Sequence, residues 1–152
     1  MTARTLPLRR SNGLRLLDVC CGAGGLSMGY YLAGFDVVGV DIVPQPNYPF
    51  PFVQTDGIDY VAQHGHAFDL VHGSWPCERY ARVTKWRGNP DDPPDLVGPG
   101  REVMQATGRP WVIENVPEAP TGPRTCGNPC SPSRTPLAAH GRSGLAPPAS
   151  SW

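Results

Sequence analysis

Leu14-Arg-Leu-Leu-Asp-Val-Cys-Cys-Gly-Ala-Gly-Gly25 decides the reading of the chain: an apolar run enters a glycine cluster, and Leu26 to Ala33 then has helix-compatible composition before a stop at Gly34. That is the pattern of a strand, a tight turn and a helix. Working outward, Asp36-Val-Val-Gly-Val-Asp41 is a second β-rich run, closed by an acidic residue and then by Pro44 and Pro46. A third short strand is expected over Phe52 to Thr55, ahead of Asp56, followed by a helix from about Ile58 to Gln63. Phe68-Asp-Leu-Val-His-Gly73 is a fourth apolar run and leads into Ser74-Trp-Pro-Cys77. After a loop rich in proline and charge, Leu96 to Thr107 carries a helical stripe, and Pro110-Trp-Val-Ile-Glu-Asn-Val116 is a fifth strand. Strands alternating with helices at these lengths predict an α/β fold whose parallel sheet is covered by helices. Ligands of such sheets sit at the carboxyl ends of the strands, and every polar residue of interest here follows a strand.

The chain has 152 residues, enough for one domain with a real core; an ordinary domain of this size buries about 70% of its unfolded surface. The formal net charge is zero, so the molecule as a whole is no polycation holding nucleic acid by counterion release, and any such contact must be local. Met1 to Arg10 carries Arg4, Arg9 and Arg10 without an apolar run, so neither a signal peptide nor a membrane span is expected. A cytoplasmic location, in a bacterial or phage-infected cell, follows as the expectation. The five cysteines, Cys20, Cys21, Cys77, Cys126 and Cys130, are odd in number and irregularly spaced, which argues for reduced thiols. Residues 1–12 are expected to be a flexible lead-in and 13–120 the folded domain. Residues 121–152 turn into Pro, Ser, Gly, Arg and Ala without helical or strand period, so a disordered tail is expected there.

Gly22, Gly24 and Gly25 after a strand allow a tight turn and close approach of backbone to ligand, while the following helix offers its free N–H groups. The stricter nicotinamide fingerprint needs glycine at the first, third and sixth positions; counted from Gly22, the sixth is Ser27 and the pattern fails. Asp41, ending the second strand, can accept hydrogen bonds from two ribose hydroxyls, which fits an adenosine-containing cofactor without choosing one. Taken alone, the same residues also allow a plainer reading in which the glycines only turn the chain and Asp41 only caps a loop.

Cys77 follows a proline in the loop after the fourth strand, where a thiol projects into a cleft instead of the core. A cysteine nucleophile needs thiolate character, which nearby cations supply by lowering its pKa from ~8.5. Arg79, Arg82, Lys85 and Arg87 crowd the following segment, with Tyr80 and Trp86 interleaved as stacking surfaces suited to phosphate and base contact. Glu114 ends the fifth strand on the same edge of the sheet. A carboxyl group there, with its pKa raised by burial, donates a proton to a base ring as a nucleophile adds to it.

Asp18-Val-Cys-Cys-Gly-Ala-Gly-Gly25 resembles the first motif of the DNA (cytosine-5)-methyltransferases, which runs Asp, any, Phe, any, Gly, any, Gly, Gly. Gly39-Val-Asp41 resembles the family's second motif, and Asp56 falls where it carries an acidic residue that contacts adenine. Gly73-Ser-Trp-Pro-Cys77 resembles the Pro-Cys motif of the catalytic cysteine, and Glu114-Asn-Val116 resembles its Glu-Asn-Val motif. The resemblance implies a Rossmann-like, S-adenosylmethionine-dependent methyltransferase fold. It also implies that Asp18, Cys20, Gly22, Ala23, Gly24, Gly25, Asp41, Ile42 and Asp56 hold S-adenosylmethionine and that no metal takes part. By the same resemblance, Cys77 attacks C6 of a cytosine flipped out of double-stranded DNA while Glu114 protonates or hydrogen-bonds N3, and C5 takes the methyl group. Pro76, Asn115, Arg79 and Arg82 then lie on the substrate side.

Several positions depart from that pattern. Cys20 replaces phenylalanine, Trp75 replaces the small residue or proline before Pro-Cys, Glu78 replaces glutamine, and Ala81 stands where serine is frequent. A carboxylate beside the nucleophile tends to raise its pKa and to repel phosphate. No Gln-x-Arg-x-Arg motif follows residue 120, and neither a target-recognition region nor the family's last strands is in the sequence, so the expectation is a truncated domain of weak or absent activity. On the residues alone, three other readings stay open: a catalytically dead S-adenosylmethionine-binding remnant, a methyltransferase acting on RNA or a free nucleotide, and an interaction protein that kept only the fold.

Overall fold

The computed structural model describes residues 6–81 and 94–121. Through them the chain runs β1 (Arg15–Val19), α1 (Gly25–Leu32), β2 (Asp36–Asp41), β3 (Phe52–Gln54), α2 (Gly57–His64), a 3-10 turn (Gly65–Ala67), β4 (Leu70–Gly73), α3 (Val97–Ala106) and β5 (Trp111–Ile113). The strands form one five-stranded sheet in the order β3-β2-β1-β4-β5, and every pairing is parallel. The chain builds outward from β1 through β2 to β3, then returns to the far side of β1 for β4 and β5. Between β1 and β4 the direction of winding reverses. In open sheets of this kind a crevice forms there, outside the carboxyl ends of the strands, and the segments after Val19 and after Gly73 emerge into it.

This is the expected Rossmann-like α/β architecture, and β2 has the bounds its sequence implied. The fifth strand is shorter than Pro110 to Val116 because its end is diverted. Asn115 accepts the Val116 amide with its own side-chain oxygen at 2.9 Å and donates its amide to the Trp75 carbonyl at 2.8 Å, which takes the backbone out of the ladder.

Strand alternation sorts the core into two layers. Leu16 of β1, Val37 of β2 and Phe50 pack under Met28, Tyr30 and Tyr31 of α1. Leu17, Val19, Val40 and Val71 pack on the other face with Val61 of α2 and Val97 and Met104 of α3. β1, in the middle, is buried on both sides: Leu16, Leu17 and Val19 have no exposed surface, and burying each such side chain contributes about 1.5–3 kcal/mol. Asp56 starts α2 by accepting the Asp59 amide at 3.0 Å, an ordinary N-cap.

Residues 7–12 of the expected lead-in make contacts with the folded domain. Tyr31 Oη donates to the Pro7 carbonyl, Arg9 pairs with Asp36, donates to the Gly34 carbonyl at 2.6 Å and lies over the Tyr31 ring, and the Asn12 amide bonds Gly34. The tail expected over residues 121–152 lies, beyond Thr121, outside the described residues, as do Arg82, Lys85, Trp86 and Arg87.

Trp75, one of the departures from the resembled motif, is 3% exposed and belongs to the core of the α2/α3 face. Its indole fits because glycine stands at the positions it crosses. A Cβ at Gly100 would overlap the indole ring, and one at Gly73 would come within 2.7 Å of Nε1. Helix propensity alone favours alanine over glycine in α3 by about 1 kcal/mol, but overpacking costs about 1–3 kcal/mol. Gly100→Ala is therefore expected to lower stability in urea unfolding, and to become neutral or stabilising in a Trp75→Leu background. A variant as stable as the parent would refute the wedge.

Candidate active site

Leaving β1, the backbone turns through three left-handed residues: Cys20 at φ 57°, Gly22 at 50° and Gly24 at 86°. Glycine takes such angles freely, whereas Cys20 carries about 1–2 kcal/mol of strain there. The turn is pinned from β2. The Cys21 amide bonds the Val40 carbonyl at 3.2 Å, and the Gly22 amide donates to Asp41 Oδ2 at 3.0 Å. Asp41 Oδ1 takes the Val43 amide, also at 3.0 Å. Asp41 thus fixes the turn before it does anything else. A carboxylate offers about four lone-pair sites, so acceptor capacity remains. Beside it Ile42 is 66% exposed, and Ala23, Gly25 and Asp56 are exposed around the same edge.

Asp18 does not reach this edge. Alternation in β1 sends its side chain under α1, where it has no exposed surface, so the direct cofactor contact expected of it is corrected: it is an internal acceptor. Ser27 Oγ donates to Asp18 Oδ2 and lies 2.7 Å from Tyr48 Oη. Tyr48 in turn rests on β2 at Gly39, where any Cβ would overlap the phenol. Neither Tyr48 nor Ser27 was foreseen; a glycine inside a strand was the available signal, since it marks close approach of another group.

Across the crevice, Cys77 is half-buried and its carbonyl accepts the Tyr80 and Ala81 amides at 2.9 Å. Pro76 and Arg79 are half-buried beside it, and Glu78 is exposed. The end of β5 is tied to the end of β4 by the Glu114 amide, which donates to the Gly73 carbonyl at 3.1 Å, and to the loop by the Asn115 side-chain amide on the Trp75 carbonyl. Asn115, expected on the substrate side, acts as a clamp on the loop. Glu114 is exposed, so the enclosing burial expected of it is not there. It borders a hollow of about 550 Å³ with His72, Val112 and Asn115.

Charge at the edge is negative. Burial pushes the Cys20 thiol up to about 12, and the carboxylates of Asp41, Asp18, Asp56 and Glu78 push it the same way. Cys20 therefore stays a neutral thiol among carboxylates. Among the described residues no group of histidine, cysteine, aspartate and glutamate is arranged to hold a metal ion, and no helix is long and apolar enough to cross a membrane.

No protein-family model and no curated protein sequence matches the chain. Solved structures resemble it loosely. An NADH-flavin reductase of Streptococcus pneumoniae aligns over 66% of this chain and 46% of its own, at 12% identity and a TM-score of 0.46. The 1,6-didemethyltoxoflavin-N1-methyltransferase of Burkholderia thailandensis aligns over 68% and 44%, at 21% identity and 0.41. A SAM-dependent methyltransferase of Agrobacterium tumefaciens aligns over 71% and 48%, at 14% identity and 0.38. The chain spans less than half of each, and likenesses of this order bear on neither ligand nor reaction.

Two buried groups give the site a pH signature. Burial raises Asp18 from 3.8 to about 6, against the Ser27 hydrogen bond and with help from the Asp41 charge; burial lowers His72 from 6.5 to about 4. The folded chain holds the Asp18 proton more tightly than the unfolded chain does, so that contribution is present at low pH and is lost as pH rises through about 6. For His72 the unfolded chain binds the proton better, so its contribution is present above 6.5 and is lost as pH falls toward 4. The two oppose each other between these values. Asp18→Asn removes only the first, so the variant's stability in urea unfolding should fall more steeply than the parent's as pH drops from 6 to 4. Parallel profiles would contradict a protonated, buried Asp18.

Proposed function

We propose that this chain is a methyltransferase domain that uses S-adenosylmethionine to methylate C5 of cytosine in double-stranded DNA, with Cys77 as the attacking thiolate. The charge of the crevice carries the reading. Where a glycine turn binds a dinucleotide, its amides and the following helix face a pyrophosphate. Here the Gly22 amide is taken by the Asp41 carboxylate, and Asp41, Asp56 and Glu78 all bear on Cys20 at the mouth of the turn. An acidic edge repels a pyrophosphate and favours a cation, which is the charge of a sulfonium. The residues suit that cofactor: Asp41 keeps acceptor capacity for ribose hydroxyls, and the exposed Ile42 offers an apolar surface to adenine.

When bound, the cofactor supplies an electrophilic methyl group on sulfur. Cys77 Sγ adds to C6 of the flipped base, the 5,6 double bond opens, and the electron pair is drawn toward N3, where Glu114 provides the proton or hydrogen bond. C5 then has the electron density to take the methyl group; the S–CH3 bond would break with its electron pair left on sulfur, and the cofactor would depart as the neutral thioether S-adenosylhomocysteine. Loss of the C5 proton to a base restores the double bond and expels the thiolate. The stretches that resemble the cytosine-5 family's motifs lie at or just after the carboxyl ends of β1, β2, β4 and β5, an arrangement that suits this assignment of roles.

A second reading is favoured by one observation, the exposure of Glu114 with Glu78 beside the nucleophile: the chain binds the cofactor without completing transfer. Duplex DNA carrying 5-fluorocytosine separates the two, because fluorine cannot leave C5 as a proton does and the adduct persists. The parent chain with cofactor should give a covalent adduct on a denaturing gel, Cys77→Ser none, and Glu114→Gln one that forms about a hundredfold more slowly or worse. Cofactor binding in calorimetry without any adduct would select the second reading. Absence of both would overturn both.

A further inference from the structure

His72 is a buried imidazole that the proposed chemistry leaves unused. It is 2% exposed on the α1 face of β4, with Nδ1 3.0 Å from Tyr30 Oη and Nε2 3.3 Å from Ser74 Oγ. The Tyr30 and His72 rings meet at 63° with centroids 5.5 Å apart, so tyrosine fixes the ring by contact as well as by hydrogen bond. Burial keeps the imidazole neutral near neutral pH, its pKa lowered to about 4. A neutral imidazole has one donor and one acceptor, and two hydroxyls satisfy it in either tautomer.

Its second partner stands where the nucleophile loop departs. The Ser74 amide donates to the Val19 carbonyl at 3.0 Å, so the backbone is still in the sheet there. Trp75 is then wedged into the opposite face, with its carbonyl held by Asn115. Cys77 follows at once. We propose that His72 is a positioning residue for Cys77, its ring bridging Tyr30 of α1 to Ser74 so that the direction in which the chain leaves β4 is set from α1. The inference takes its catalytic meaning from the reading of Cys77 as nucleophile, but its geometry does not depend on methyl transfer.

Alkylation of each cysteine by iodoacetamide, followed by peptide mass spectrometry on the full chain without cofactor or DNA, tests it. His72→Phe keeps a ring and removes both hydrogen bonds, while Tyr30→Phe and Ser74→Ala each remove one hydroxyl. Each should change the Cys77 rate by about threefold or more, the scale of one lost hydrogen bond, while buried Cys21 stays protected. His72→Gln, whose amide reaches toward the place of Nε2, should bring the rate back toward the parent's. An unchanged Cys77 rate in variants that keep Cys21 protected overturns the proposal. So does a rise at Cys21 in parallel with Cys77, which marks general loosening. Failure of 5-fluorocytosine trapping in the parent would sink the methyltransferase reading and leave this result standing.

Discussion

A carboxyl group without water sets the terms for one side of this fold. Asp18 lies in the central strand with no exposed surface, and a buried charge without partners costs several kcal/mol. Ser27 answers with its hydroxyl and Tyr48 closes the chain behind it; the other carboxylate oxygen has no hydrogen-bond partner among the described residues, in keeping with a pKa raised to about 6. Ser27 can stand there only if α1 begins immediately after β1, which requires the short glycine turn. Tyr48 can stand there only if the loop after β2 folds back and position 39 has no Cβ. Asp18, the glycine turn and Gly39 thus answer one requirement, although a motif reading takes Asp18 and the turn as ligand contacts and assigns Gly39 to a different motif.

On the other face the organising group is apolar. The Trp75 indole departs from its motif, and the departure is compensated by Gly100, a residue far along the chain with no motif of its own. The wedge leaves Nε1 without a hydrogen-bond partner among the described residues, a cost that interior hydrophobic contact must offset. Because β5 also holds the Trp75 carbonyl through Asn115, the loop bearing Cys77 is gripped from the core on one side and from a neighbouring strand on the other.

What the sequence made legible follows from periodicity. β2 reads as a strand to the residue because Val37, Val38 and Val40 are β-branched between acidic ends, and the winding order follows once strands and helices alternate. The candidate site was legible as positions and not as directions. Asp18 and Asp41 look alike in a motif, yet alternation in β1 turns the first inward, and the bond to the Gly22 amide draws the second toward the turn. Asn115 reads as a ligand contact until its partner, the carbonyl of a residue on another loop, is known. Tyr48 sits in a proline-rich loop whose sequence has no period, so nothing local announces that its phenol is buried. His72 left a fainter trace, a polar residue inside an otherwise apolar buried strand.

Ser27 and Tyr30 lie one turn apart on α1. Side chains at that spacing share a helix face, and here one holds the Asp18 and Tyr48 group while the other holds His72. The glycine turn is the entrance to this same helix. A small rotation of α1 would therefore strain the contacts beneath the turn and those behind the Cys77 loop together, since packed interiors transmit displacement instead of absorbing it. The acidic edge lies between these two loops, with Cys20 as its neutral centre. A cation entering there relieves repulsion among Asp41, Asp56 and Glu78, and Glu78 is the residue after Cys77. On the proposed reading of Cys77, the carboxylate that looks most adverse to a thiolate in isolation is thus also the nearest link between occupancy of the crevice and the thiol beside it.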